Sequence, residues 1–437
     1  MTKSQPDILV NPVEPGPRSF IRALFGVRPI TAGALIFALA FAIRVAFVLH
    51  TSLDLQIPAE TRYIALALLN HRGFADPYKL PTGPTAHSTP FLPVLVAGIY
   101  WVFGSGYNGE LVRCLLLVGV LAMAYALLPF FAAKMRLPAS VGILAGLICA
   151  IFPFKRTSET VSFNDEPVVA VALLLLLVYS YSLIQKPRFA WRDAVLYGVA
   201  WGLLFYVSAS ALPIFLGCLL LLSLLRPDRQ RSQMALRTGL ALLAAGLIVT
   251  PWTLRTYARL HALVFMRSNF GLEFSLANSD GARPSLKQNL RSGHHAALHP
   301  VFNENEARLV GEMGEPAYNR RKTAQAFQWV ASHPGTFIKF TLVRFLYFWG
   351  GDPLDYATAI PNAALSLFAL VGLVMLWREQ PIAGRLLACV LGCFPLIYYL
   401  IQTMPRYSLS IHPLIAFCAA YGLWRLAAGR SMGRETA

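Results

Sequence analysis

Strongly apolar runs recur along this chain, broken by short polar loops. They occupy residues 31–49, 111–132, 140–154, 168–183, 194–207, 212–225, 235–249, 363–376, 386–401 and 412–426. A helix needs roughly 20 apolar residues to cross a bilayer, so the pattern predicts an all-α polytopic membrane protein with roughly ten transmembrane helices. The alternating strands of about ten residues that mark a membrane barrel are not seen.

One run differs. Phe91–Phe103, inside PTGPTAHSTPFLPVLVAGIYWVFG, is as apolar as a span but too short to be one comfortably. Its role follows from charge. Arg18, Arg22 and Arg28 precede the first span, which sets the N-terminus in the cytoplasm. If residues 91–103 do not cross, the loops carrying Lys134/Arg136, Lys186/Arg188/Arg192, Arg226/Arg229/Arg231, Arg378/Arg385 and Arg425/Arg430/Arg434 are all cytoplasmic, as short basic loops should be. If they do cross, all of these loops flip outside. The segment therefore reads as a helix lying at the outer membrane surface, opened by Pro90 and Pro93.

The expected layout is a cytoplasmic tail (1–30), then a transmembrane core (31–250) whose first outer loop is 50–110. An extracytoplasmic loop subdomain (251–356) and C-terminal spans with a cytoplasmic tail (357–437) complete it. Both termini face the cytoplasm of an inner, or plasma, membrane protein.

Composition agrees. Of 437 residues 56% are hydrophobic and 14% charged, against about 25% charged in a soluble chain. The net charge of +17 sits in the short loops, so it reflects the positive-inside rule and not a nucleic-acid partner. All six cysteines fall in apolar segments, so no disulfide framework is implied. The first residues lack the apolar centre of a cleavable signal peptide.

On this map most carboxylates gather outside, in residues 50–110, 155–166, 252–356 and 402–410. Asp54 and Glu60 stand just beyond the first span, and Glu60 shares a helix face with Tyr63. A carboxylate there can serve as general base on an acceptor hydroxyl, or simply start a helix. Asp165 and Glu166 precede Pro167, a capping arrangement in a segment that also holds Lys155, Arg156 and Glu159. Arg44, Arg113, Arg255, Arg344 and Arg406 lie within or at the ends of apolar runs. They either snorkel to headgroups or clamp a phosphate. His294, His295 and His299 in SGHHAALHP match no zinc spacing and read as a polar loop. The outer carboxylates could serve a divalent cation, but no spacing demands one.

At these residues the chain resembles the polyprenyl-phosphate-sugar-dependent glycosyltransferases of the GT-C fold. It is most similar to the bacterial proteins related to protein O-mannosyltransferases (glycosyltransferase family 39) and to the lipid A aminoarabinose transferase. The likeness runs in order through nearly the whole chain, in AETRY, RGFADPY, GPTAHSTPFLPVLVAGIYWVFG, PWTLRTY, SNFGLEFSLAN, GEPAYNRRKTAQAFQWVASHPGTF, RFLYFW and MPRYSLSIHP. Each piece is weak alone; their shared order is specific.

The resemblance implies a GT-C-type bundle with outer-face interfacial helices. It also implies transfer of a sugar from a polyprenyl phosphate to a glycan, lipid or protein acceptor at the extracytoplasmic face, in building the cell envelope or a surface polysaccharide. Glu60 matches the second acid of the family's pair, and Asp165 is a candidate for the acid before the fourth span. Arg255 and Arg406 match family arginines that suit the lipid phosphate. His87 and Ser88 lie where phosphate contacts occur, and Tyr63, Glu166 and Tyr407 complete the candidate substrate-binding set. Two departures stand out: the first acid of the pair is Ala59, with Asp54 in another register, and Thr89-Pro90 replaces two adjacent prolines. Two rival functions remain open: a transporter or flippase for a lipid-linked solute, and a non-catalytic relative, which Ala59 favours.

Overall fold

The computed structural model describes residues 28–432 except 52, 54–58, 153–158 and 227–230. Asp54, Lys155 and Arg156 lie outside the described residues.

The described chain is helical. Its β pairing is limited to isolated bridges, Ala75 with Pro84 and Ser285 with Thr403. Every apolar run carries a helix, from Pro29–His50 through Tyr107–Ala126, Glu166–Gln185 and Arg231–Leu260 to Tyr356–Glu379 and His412–Met432. Six described helices are long and apolar enough to cross a membrane: Pro29–His50, Tyr107–Lys134, Glu166–Gln185, Gln233–Leu260, Ala357–Glu379 and Pro381–Tyr399. Phe91–Phe103, Ala139–Ile151 and Ala209–Leu225 are apolar but shorter. Thirteen residues of helix, as in Ala139–Ile151, span only about 20 Å at 1.5 Å per residue, short of a ~30 Å hydrocarbon core.

Apolar helices in a bilayer gain little from hydrophobicity against one another, so small residues bring their backbones together. A Cβ on Gly372 would lie 1.8 Å from the Cys418 carbonyl oxygen, and one on Gly198 would lie 2.1 Å from that of Ala241.

Three arginines expected to snorkel or to clamp phosphate do neither. Arg44, Arg113 and Arg344 are each 2% exposed or less. Arg44 pairs with Glu159 at 3.0 Å and donates to the carbonyls of Cys149 and Ala150 at 3.0 and 3.1 Å. Those carbonyls end the Ala139–Ile151 helix, where backbone acceptors lack helical partners and a cation is favoured. Arg113 joins Glu110 at 2.8 Å and the carbonyls of Val161 and Ser162. Arg344 holds the carbonyls of Ala277 and Leu400. With Arg406, which donates to the Phe163 carbonyl at 3.2 Å, these contacts pin residues 159–163 directly before Asp165.

A second, small core joins the first loop to the later polar segment. Tyr78, Leu272, Leu276, Val301, Ala307, Val310 and Tyr318 are buried together, with Tyr63 and Leu80 packed against them. Phe91–Phe103 buries Leu92, Val96, Ile99 and Tyr100 while Val94, Trp101, Val102 and Phe103 stay exposed.

Candidate active site

Glu60 is the first residue of the Glu60–Leu69 helix, and extended Ala59 delivers the chain to it (φ −149°, ψ 122°). Its carboxylate keeps 28% exposure and faces two imidazoles: His299 Nε2 at 3.4 Å and His87 Nε2 at 3.9 Å from Oε1. The Val301 N–H donates to His299 Nδ1 at 3.1 Å. A neutral imidazole has one donor and one acceptor nitrogen, so His299 carries its proton on Nε2, toward Glu60. Burial lowers His87 to a pKa of about 3, and burial with neighbouring His295 holds His299 well below its ordinary value. Both rings are neutral near pH 7 and can donate to the carboxylate.

His295 stacks on His299 with centroids 4.8 Å apart, and burial lowers its pKa to about 4. Its Nδ1 lies 3.2 Å from Gln402 Nε2, while Gln402 Oε1 accepts from Asn289 at 3.0 Å. The histidines of SGHHAALHP are thus not a plain polar loop: two of them are buried behind Glu60. His87, expected beside a phosphate, is held by protein groups on both ring nitrogens. It is neutral, it meets Tyr78 at Nδ1 (3.2 Å), and it turns Nε2 to Glu60.

A second group of acids lies in the same electrostatic neighbourhood. Asp165 precedes the Glu166–Gln185 helix, but its side chain makes no cap bond. Burial raises the pKa of Asp165, and Arg267 and Arg406 oppose that shift. Glu166 faces Arg406 at 3.7 Å. Glu273 is likewise raised by burial, against the pull of Arg267, with Glu60 raising it further. Tyr407 stacks on Tyr398 at 4.2 Å and lies under Arg406 at 6.0 Å.

Arg267 joins the two groups. It is exposed, it donates Nε to the His87 carbonyl at 2.8 Å, and its charge acts on Asp165, Glu273 and His87. Asp165, Glu166 and Glu273 therefore feel both Arg267 and Arg406, and Glu60 feels Arg406, a site with more acid than base. Among the described residues no three His, Cys, Asp or Glu side chains form a group able to hold a metal ion.

Arg255 has a different place from the one its sequence suggests. It donates to the carbonyls of Phe74 and Thr85, with its guanidinium 5.4 Å from the Phe74 ring and 5.0 Å from that of Trp252. Its donors close the loop in front of His87 and do not reach out for a ligand. Buried Glu315 fastens the same loop, accepting from Thr85 Oγ1, the Ala86 N–H and Ser268 Oγ. Ser88 is half-buried beside it. Arg267, Glu273 and Glu315 went unmarked in the sequence. The one available signal was their place in or beside the ordered segments SNFGLEFSLAN and GEPAYNRRKT.

No family profile matches this sequence, and no curated protein matches it. Solved structures do. The Archaeoglobus fulgidus oligosaccharyltransferase, tethered to an acceptor peptide, superposes with a TM-score of 0.55 at 13% identity over 93% of this chain and 51% of that one. The same organism's AglB, in complex with an inhibitory peptide and a dolichol-phosphate, gives 0.52 at 14% identity over 92% and 51%. Its apo form gives 0.53 at 14% identity over 94% and 52%. The fold is of the GT-C type. With its six apolar helices, this is an integral membrane protein. The chain spans about half the length of the oligosaccharyltransferase chains it matches.

Proposed function

We propose that this chain is a membrane glycosyltransferase that moves a sugar from a polyprenyl phosphate to an acceptor hydroxyl at the extracytoplasmic face. The observation that carries this reading is the partly exposed Glu60, held between two neutral imidazoles and within the electrostatic reach of Arg406, on a fold shared with oligosaccharyltransferases.

In this reading Glu60 accepts the acceptor's proton as the hydroxyl oxygen bonds to the sugar's anomeric carbon. The bond from that carbon to the phosphate oxygen breaks, and polyprenyl phosphate leaves with the bonding electrons. General bases of this kind contribute about 10²–10⁴-fold. His299 and His87 hold the carboxylate in line without adding positive charge. Arg267 and Arg406 balance the departing phosphate, where preorganised charge acts most strongly. Asp165 and Glu166 hold Arg406 in place, and Tyr407 supports it from below. Asp165, Glu166 and Glu273 face arginines and do not form a three-ligand cation group, and no step here relies on a metal.

The lipid-linked donor fits a site reached from the bilayer. The apolar Phe91–Phe103 helix, lying at the outer surface, would border its path. External cysteine labelling tests that sidedness: replacements of Lys134 and Lys186 should stay unlabelled from outside. For the activity, purified protein is incubated with a panel of polyprenyl-phosphate sugars and acceptors. Transfer or donor hydrolysis is expected, and its absence across the panel would overturn the reading. Counterflow of a lipid-linked solute in proteoliposomes without transfer would assign transport instead.

A further inference from the structure

A hollow of about 410 Å³ lies one helical turn from Glu60, lined in part by Tyr63, Lys79, Val301, Phe302 and Glu304. We propose that it is the acceptor subsite and that it receives a carbohydrate; this rests on the glycosyltransferase reading above.

Its position argues for an acceptor. Tyr63 stands one helical turn after Glu60, on the same face of the Glu60–Leu69 helix. Another part of its lining is Pro300 and Val301, directly after His299; the Val301 N–H sets the tautomer of that imidazole, which faces Glu60. One short stretch therefore holds the reacting acid and walls the hollow. Both walls lie next to Glu60 in the chain or in space: Tyr63 one turn along its helix, and Pro300 directly after the imidazole that faces it. The hollow also belongs to the small core of Tyr78, Leu272, Val301 and Tyr318, apart from the long apolar helices along which a lipid-linked donor would arrive.

Its chemistry argues for a sugar. Phe302 is 45% exposed and Tyr63 half-buried, so two aromatic rings meet the space. Sugar rings lay their C–H faces on such rings, while their hydroxyls hydrogen-bond charged side chains. Lys79 and Glu304 supply one donor head and one acceptor head at the rim, both exposed. The volume falls within the usual 300–1,000 Å³ range of small-ligand sites, room for one or two sugar rings.

The test uses the full chain with a polyprenyl-phosphate sugar donor, a printed glycan array and an unstructured serine- and threonine-containing peptide. The readout is glycan transfer divided by donor hydrolysis. Phe302→Ala is expected to lower that ratio at least tenfold, chiefly through acceptor KM, and Phe302→Tyr to restore it. If Phe302→Ala misfolds, Phe302→Leu keeps the bulk without a flat face and should give the same fall. An unchanged acceptor KM in a folded Phe302 variant overturns the proposal, as does transfer to the peptide alone. If no variant turns over any donor, the glycosyltransferase reading fails separately. Array binding then decides on the hollow: glycan binding lost in Phe302→Ala supports it, and no glycan binding by the wild type ends it.

Discussion

Arg44 and Arg267 carry the same guanidinium into opposite surroundings. Arg44 is 2% exposed and spends its donors on the Ala139–Ile151 helix end while pairing with Glu159. Arg267 is exposed, gives Nε to one carbonyl, and lies among Asp165 and Glu273. Arg113, Arg344 and Arg255 side with Arg44, because backbone carbonyls take their donors. Arg406 stands between the two kinds: half-buried, bonded to the Phe163 carbonyl, and facing Glu166 at 3.7 Å. A framework cation spends several N–H groups on backbone carbonyls, whereas Arg267, the proposed ligand cation, donates to one. Charge and nearness to a membrane end do not separate them; the fate of each N–H does.

The comparison breaks most visibly at Arg44. Arg44→Met removes the guanidinium from a buried ion pair with Glu159 and from the Cys149 and Ala150 carbonyls, and breaking such a buried pair typically costs about 3–5 kcal/mol. Little folded protein should survive extraction, and the remainder should melt well below wild type in a thermal unfolding assay. A variant with unchanged melting would mean that Arg44 is not framework. Glu60→Gln should instead keep the melting temperature and lose about 10²–10⁴-fold in sugar transfer. Arg267→Met should also fold normally, and lose roughly 10²-fold in kcat, the usual scale for one preorganised donor. Loss of stability in Arg267→Met, with kcat intact, would place it with Arg44.

The histidines sharpen the picture at a smaller scale. His87 and His295 have folded pKa values of about 3 and 4, below the unfolded imidazole. The unfolded chain therefore binds protons that the folded chain does not, and their stabilising contribution is complete above about pH 6.5 and fades as pH falls toward 3. Asp165 and Glu273, raised by burial, tilt stability the other way. Comparing the melting temperatures of wild type and His295→Asn from pH 7.5 to 4.5 isolates the imidazole part. The variant should show the shallower acid slope by a few degrees, and an identical slope would mean His295 is not buried neutral.

Much of the fold is legible in the chain, because an apolar run of spanning length has few alternatives in a bilayer. The helix that puts Glu60 and Tyr63 on one face is legible too. Arg255 illustrates the limit. PWTLRTY marks it, yet its partners are the carbonyls of Phe74 and Thr85, and a carbonyl has no sequence signature. His299 reaches Glu60 from 239 residues away in number and Arg267 reaches the His87 carbonyl across 180, so no periodicity joins them. The loop SGHHAALHP reads as polar because burial, which makes its histidines neutral, is set only by the packed core around Val301 and Tyr78.

The most direct measurement is a cryo-EM structure of the full chain in nanodiscs loaded with polyprenyl phosphate. Phosphate density is expected within hydrogen-bond reach of Arg267 or Arg406, on the Glu60 side, with Arg255 still bonded to Phe74 and Thr85. Phosphate seated on a released Arg255, or density confined to a site without Glu60, would contradict this placement.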